Sequence, residues 1–395
     1  MQTSTRKSRL LVPVLRFLLS LLLFLLSLLC IFKAPTNELW LAAILVTEFG
    51  HWFALLSLLL LLAGLGPLKF TRAELLLLLI AAVLYITPLL RAIPVAMELP
   101  EQLTAAFGEF HNPSAAPTYG RSAPIVFWDL FRGVPRPKVE PETIVYATPD
   151  STELSLDFYR PPAGSGPFPC VVVVHGGAWQ TGTSRQLHEL NAYLAGRGYA
   201  VAAINYRLAP RWQYPAQLQD VRAAIDFLKT QSRVLRLAPQ RLVLLGRSAG
   251  AHLALLAGYT ANDPAIRGVV SYYGPADLLY GWNHPANPHV IDTRKVLTEF
   301  LGGSPEQVPQ NYDEGSPIHF VTPLTPPTLL IHGGRDELVS PEQSRRLAAR
   351  LEEMRVRYVF LFLPYATHGC DFKMAGPSGQ MSTYALERFL TAILQ

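Results

Sequence analysis

Charge is scarce in this chain of 395 residues: Asp, Glu, Lys and Arg make up 16% of it, against 50% hydrophobic residues. A soluble domain carries about 25% charged residues. The whole chain therefore does not read as one water-soluble body, and the same composition excludes disorder. The formal charge of +5 does not mark a nucleic-acid binder, because of where it sits. Residues 1–95 hold eight Lys or Arg and three Asp or Glu, whereas the remaining 300 hold 26 of each. The basicity belongs to the N-terminal segment alone, and no nucleic-acid partner is expected.

Cysteine is nearly absent. Cys30 falls in an apolar run, which leaves Cys170 and Cys370. Cys170 begins a strand, while Cys370 follows a residue expected at the opposite, C-terminal edge of the sheet. A strand of about five residues separates those edges by roughly 17 Å, whereas a disulfide needs Cα atoms within about 7 Å, so no bridge is expected. The chain also lacks H-E-x-x-H, and His284, His289 and His319 lie in loop sequence without metal-ligand spacing. Neither a metal nor an organic cofactor is implied. No internal repeat is visible.

Long apolar runs are what the chain does have. They cover 10–32, 39–65 and 73–90, and each can supply the roughly 20 residues of a membrane-spanning helix. The second is the least tidy, interrupted by Glu48, Gly50 and His51. Glu48 and His51 admit an intramembrane polar site; the plainer reading, preferred here, puts them at an interface or against a neighbouring helix. The first run has the basic start of a signal peptide but no small-x-small site after it, so an uncleaved helix is expected. Arg6, Lys7 and Arg9 precede the first run, and Lys69 and Arg72 separate the second from the third. Basic residues favour the cytoplasmic side. The N-terminus and second loop are thus expected in the cytoplasm, with everything after Leu90 on the far side; Arg91 argues mildly against this.

Residues 1–93 accordingly read as a membrane anchor of three transmembrane helices, 94–140 as a Pro-rich linker, and 141–395 as a separate domain. The linker's aromatic stretch, 125–131, is expected to lie at the bilayer interface. Beyond it, strands alternate with helices. Strands are expected at 143–147, 153–159, 170–174, 200–205, 241–245, 268–272, 328–331 and 358–363, the first two as an antiparallel pair. Helices are expected at 184–197, 215–230, 249–259, 341–354 and 377–394. The fold class is α/β, a mostly parallel sheet with helices on both faces.

Gly246-Arg-Ser-Ala-Gly250 stands between a strand and a helix, the context of a nucleophile elbow, with Ser248 at its tip. His175-Gly-Gly-Ala-Trp179 follows an earlier strand, where glycines let backbone N–H groups face a developing oxyanion; the N–H of Ala249 would complete the hole. A carboxylate is expected after the strand at 328–331, and Asp336 is chosen over Glu337. A base is expected after the last strand, and His368 follows it. Asp371 is a rival acid, too near His368 to follow a separate strand. The chain order Ser248, Asp336, His368 is that of the α/β-hydrolases. His252 is expected to be a packed core residue and His332 to support its turn.

These motifs, with Asn205-Tyr-Arg-Leu-Ala-Pro210, Tyr214-Pro-Ala, Asp220 and Ser316-Pro-Ile, resemble the α/β-hydrolase esterases over about residues 140–395. The resemblance is closest to the hormone-sensitive-lipase-like and feruloyl-esterase-like (BD-FAE) branch. By position it implies oxyanion donors at Gly177 and Ala178, with Gly176 as helper. Ala178 stands where lipase-like members commonly have glycine, which favours the feruloyl-esterase-like side. The N-terminal part departs from the family, whose members commonly carry a short cap there.

The expected activity is hydrolysis of a carboxylic ester, small or lipid-like, through an acyl-enzyme. Residues 276–316 are expected to form a partial lid or pocket wall, and Trp179 either to line the pocket or to pack behind it. An amidase or peptidase using the same triad is the alternative within the fold; a catalytically dead binding module is the alternative outside it. Oligomeric state is left open.

Overall fold

The computed structural model describes residues 2–66, 68–108 and 120–394, with side chains from residue 12 onward. The N-terminal segment forms α1 (Gln2–Ser27), α2 (Asn37–Glu48), α3 (Gly50–Leu65) and α4 (Arg72–Phe107). The first and last are long and apolar enough to cross a membrane. The middle pair is bent by 80° and makes a third crossing only if counted as one broken span. Three transmembrane helices were expected; two helices, or three spans if the bent pair counts as one, have the length and apolarity for it.

The break falls where Glu48, Gly50 and His51 interrupt the apolar run. Glu48 is buried against the α/β half, its Oε2 accepting from the backbone N–H of Ser378 at 3.1 Å. His51 Nε2 lies 2.9 Å from the carbonyl of Leu130. Both residues thus serve packing at the seam between the two parts of the molecule.

The third apolar run does not stop at Leu90. Thr71 and Glu74 form a reciprocal capping box at the start of α4, which satisfies two otherwise orphaned N–H groups. The helix then continues through Pro88, Pro94 and Pro100 to Phe107. An interior proline costs a helix about 3 kcal/mol, so packing has to compensate. Leu99 and Leu103 are fully buried in the core shared with Val359, Leu361 and Phe389, and Phe107 meets Phe389 edge-on with ring centroids 5.3 Å apart. The first part of the expected linker is therefore a helix docked on the α/β half. In the aromatic stretch, α5 (Asp129–Arg132) sets Phe131 against Trp52 and His51, while Phe127 and Trp128 stay more than half exposed.

All eight expected strands form, as β1 (Glu142–Ala147), β2 (Leu154–Tyr159), β3 (Phe168–Val174), β4 (Ala200–Ile204), β5 (Leu237–Arg247), β6 (Ile266–Tyr272), β7 (Thr328–Gly333) and β8 (Tyr358–Leu363). They make one sheet in the order β1-β2-β4-β3-β5-β6-β7-β8. β2 runs antiparallel to β1 and β4, and the remaining pairs are parallel. Continuous β-branched runs such as Val171–Val174 suit strands buried on both faces. Helices α6 (His188–Ala195), α7 (Ala216–Thr230), α8 (Ser232–Leu235), α9 (Ala249–Thr260), α10 (Leu278–Asn283), α11 (Thr293–Leu301), α12 (Pro309–Glu314), α13 (Glu342–Glu353) and α14 (Pro377–Ile393) complete the chain. The segment expected as a lid is α10 to α12. Parallel strands place the ends of β3, β5, β7 and β8 at one edge, where sites of such sheets form.

Candidate active site

Ser248 sits at the tip of the turn from β5 to α9 with φ 52° and ψ −121°, a conformation that costs an L-residue free energy and persists only where its surroundings impose it. The turn is too crowded for side chains at its flanks. A Cβ on Gly246 would come 2.1 Å from the carbonyl oxygen of Gly250, and one on Gly250 would come 2.2 Å from that of Val174. Bare backbone at both positions is what lets α9 start close under β3 and aim the serine outward.

The turns after β7 and β8 bring the other two residues to it. His368 Nε2 lies 3.0 Å from Ser248 Oγ, and His368 Nδ1 lies 2.7 Å from Asp336 Oδ2. Asp336 is buried, and its Oδ1 accepts from the backbone N–H groups of Leu338 and Val339 at 2.9 and 2.8 Å. Burial alone would raise its pKa, but the charges and hydrogen bonds of His368 and His332 outweigh it and hold the carboxyl well below the usual range. His332 supports this turn: its Nε2 lies 3.1 Å from the carbonyl of Val339 and 3.2 Å from Asp336 Oδ2, and its Nδ1 2.7 Å from Ser344 Oγ.

The rival carboxylates point elsewhere. Glu337 accepts from the backbone N–H of Ala34, and Asp371 pairs with Arg247 and accepts from the hydroxyl of Tyr273.

The turn after β3 faces the serine from the other side. Gly177 has φ 120°, and Ala178 and Trp179 have φ 55° and 60°. Gly176 N–H is held by Gln186 Oε1 at 2.7 Å, and Gly176, Gly177, Ala178 and Ala249 all line the cavity around Ser248. His175 packs flat on Tyr206, with ring centroids 4.2 Å apart. Trp179 both lines the cavity and packs: its ring stacks on Phe300 at 4.2 Å, and its Nε1–H donates to Nδ1 of the buried His252 at 3.2 Å.

The cavity measures about 510 Å³. Tyr280, Ile291, Val296 and Leu297 of the lid segment form one side. The cavity is also lined by residues that the sequence did not mark as functional, Trp40, Leu41 and Ile44 of α2. Trp40 Nε1–H donates to the carbonyl of His368 at 3.0 Å, and Lys33 Nζ donates to that of Asp336 at 2.8 Å. The one local signal was a tryptophan opening an interrupted apolar run. Among the described residues, no cluster of His, Cys, Asp or Glu is arranged to hold a metal.

Comparison with known proteins agrees with this architecture. Residues 156–351 match the BD-FAE family model. The chain is 27% identical over 311 residues to the probable carboxylic ester hydrolase LipM of Mycobacterium tuberculosis, covering 74% of this chain and 70% of that protein. It is 31% identical over 246 residues to the esterase LipC of the same organism, covering 58% and 59% respectively. Among solved structures, the butyrate-bound esterase Est2 of Thermogutta terrifontis superposes with a TM-score of 0.52 at 25% identity, over 63% of this chain and 91% of that one. The chain belongs to the α/β-hydrolases, as a carboxylic ester hydrolase of the BD-FAE branch.

Proposed function

We propose that Ser248, His368 and Asp336 act as a catalytic triad on a carboxylic ester. The observation that carries this is the unbroken relay from Ser248 Oγ through the His368 ring to Asp336, at 3.0 and 2.7 Å, opening onto a mainly apolar cavity. As Ser248 Oγ bonds to the ester carbonyl carbon, its proton passes to His368 Nε2. The carbonyl oxygen becomes an oxyanion facing the N–H groups of Gly177, Ala178 and Ala249. Collapse breaks the bond to the alcohol, which leaves with the proton from His368; water then repeats the sequence on the acyl-enzyme. Asp336 keeps the imidazole in the tautomer with Nε2 free to accept, and stabilises its charged form.

The N-terminal helices make this a membrane-anchored enzyme in our reading, with residues 141–395 as its catalytic domain. Arg16 Nη1 donates to the carbonyl of Leu68 at 2.8 Å and lies over Phe70, so this basic residue shares one end of the helices with Lys69 and Arg72. Lys33 and Asn37 meet the hydrolase at the other end. Basic residues mark the cytoplasmic face, which favours a catalytic domain outside the cytoplasm.

The activity is tested by reaction of Ser248 with a fluorophosphonate, located by peptide mass spectrometry; no adduct at Ser248 in folded protein contradicts the triad. The orientation is tested with Arg233→Cys at an exposed site. The three native thiols are buried, and burial raises the thiol pKa of both Cys170 and Cys370. Background labelling by a membrane-impermeant maleimide should therefore be low. Labelling in intact cells is expected; labelling only after permeabilisation reverses the orientation.

A further inference from the structure

We infer that α2, although part of the apolar N-terminal segment, builds the substrate's apolar-chain subsite, and that the chain enters it from the bilayer. This deepens the proposed ester hydrolysis and rests on it. The inference starts from a long-range seam. Asn287 Nδ2 donates to the carbonyl of Pro35 at 3.0 Å, and the N–H of Asn37 donates to the carbonyl of His289 at 3.2 Å. With Lys33, Ala34 and Trp40 bonded to the turns of Asp336 and His368, residues 33–40 are fastened to the catalytic edge. Thr36 caps the helix that follows, so its orientation over the cavity is set by the same contacts.

The face presented to the cavity is apolar. Ile44 is buried and reaches Gly369, next to His368. Leu41 lines the cavity yet remains 56% exposed, and Phe372, also lining it, is 50% exposed. These two exposed apolar residues mark the rim of the opening. Leu41 lies on the helix that bends directly into the apolar α3. An apolar rim joined to apolar helices suits a ligand that is already out of water, and each methylene buried against such a wall favours binding by about fourfold. The chemical class that fits is an ester of a long apolar chain dissolved in the membrane. A subsite of this kind contributes to chain-length preference, while Trp40 acts as a positioning residue for His368.

The experiment is the ratio of kcat/KM for p-nitrophenyl decanoate to that for p-nitrophenyl acetate, in full-length wild type, Ile44→Ala and Leu41→Glu. The protein is reconstituted in phosphatidylcholine vesicles or held in detergent micelles. Wild type is expected to prefer decanoate, and both variants to lower the ratio about tenfold. Decanoate is expected to be used faster in vesicles than in micelles at equal mole fraction. Stoichiometric labelling of Ser248 by a fluorophosphonate shows that each variant has folded. A ratio unchanged within twofold in labelled Leu41→Glu, or parallel loss on both esters, overturns the subsite; slower use in vesicles overturns the bilayer route. Wild type inactive on both esters is a failure of the ester-hydrolase reading itself, and is distinguishable because it appears before any substitution.

Discussion

His332 Nε2 lies 3.2 Å from Asp336 Oδ2, the same oxygen that His368 Nδ1 approaches to 2.7 Å. The proposed acid is thus held by a second histidine four residues before it, as well as by the proposed base. His332 is fully buried, and its other nitrogen is fixed by Ser344. It acts on the reaction through Asp336 alone.

Replacing His332 by Phe therefore leaves the carboxylate a hydrogen bond short. Since a misplacement of about 1 Å at a catalytic group costs on the order of 10²-fold, kcat should fall by about that factor. An unchanged kcat in the detergent-solubilised variant would make His332 a packing residue only.

Asp336→Asn keeps the shape but presents an N–H where Nδ1–H must donate, which favours the unproductive tautomer. A loss of about 10⁴ in kcat is the precedent for that exchange in a serine triad. Glu337→Gln, by contrast, alters a residue bonded to Ala34 and should cost less than tenfold. Similar losses in both would put the acid in doubt.

His175 and His252 predict a loss of stability in mild acid. Burial pushes both from the ordinary 6.5 down to about 4. His252 Nδ1 accepts from Trp179 while its Nε2 donates to the carbonyl of Gly315 at 2.6 Å, so a second ring proton would confront another donor. The unfolded chain takes up these protons first, and stability therefore falls as pH drops from about 6.5 towards 4. The slope is up to about 1.4 kcal/mol per pH unit for each ring. Thermal unfolding in micelles should show a falling Tm over this window, and His252→Gln should make it shallower. A flat Tm would contradict neutral, buried rings.

Ala178 is an L-residue at φ 55°, a position that suits glycine. Ala178→Gly is expected to retain activity within about threefold, because the strain of order 1 kcal/mol is relieved while backbone freedom is gained. Ala178→Pro both removes the N–H and demands φ near −65°, so it should abolish turnover by rebuilding the turn. Measured kcat for the pair checks this; a fully active proline variant would remove Ala178 from the oxyanion hole.

The sheet was legible because its strands are runs such as Val171–Val174 and Leu242–Leu245, and because Gly-rich turns mark their C-terminal ends. The order of Ser248, Asp336 and His368 was legible for the same reason: each follows its own strand. The break in the second apolar run was foreshadowed by Glu48, Gly50 and His51. What could not be read was how the two halves meet. α4 passes three prolines because Leu99 and Leu103 bury against α14 and β8, a gain invisible to local propensity. Trp40 and Lys33 reach the catalytic turns across more than 300 residues of chain. No periodicity encodes such a contact.

Hydrolysis of p-nitrophenyl esters, acetate through decanoate, by detergent-solubilised wild type and Ser248→Ala tests the triad most directly. Wild type should turn over and the variant should lose about 10⁶-fold in kcat, to the level left by binding and the oxyanion hole alone. Equal activity in the two proteins would place the chemistry elsewhere than Ser248.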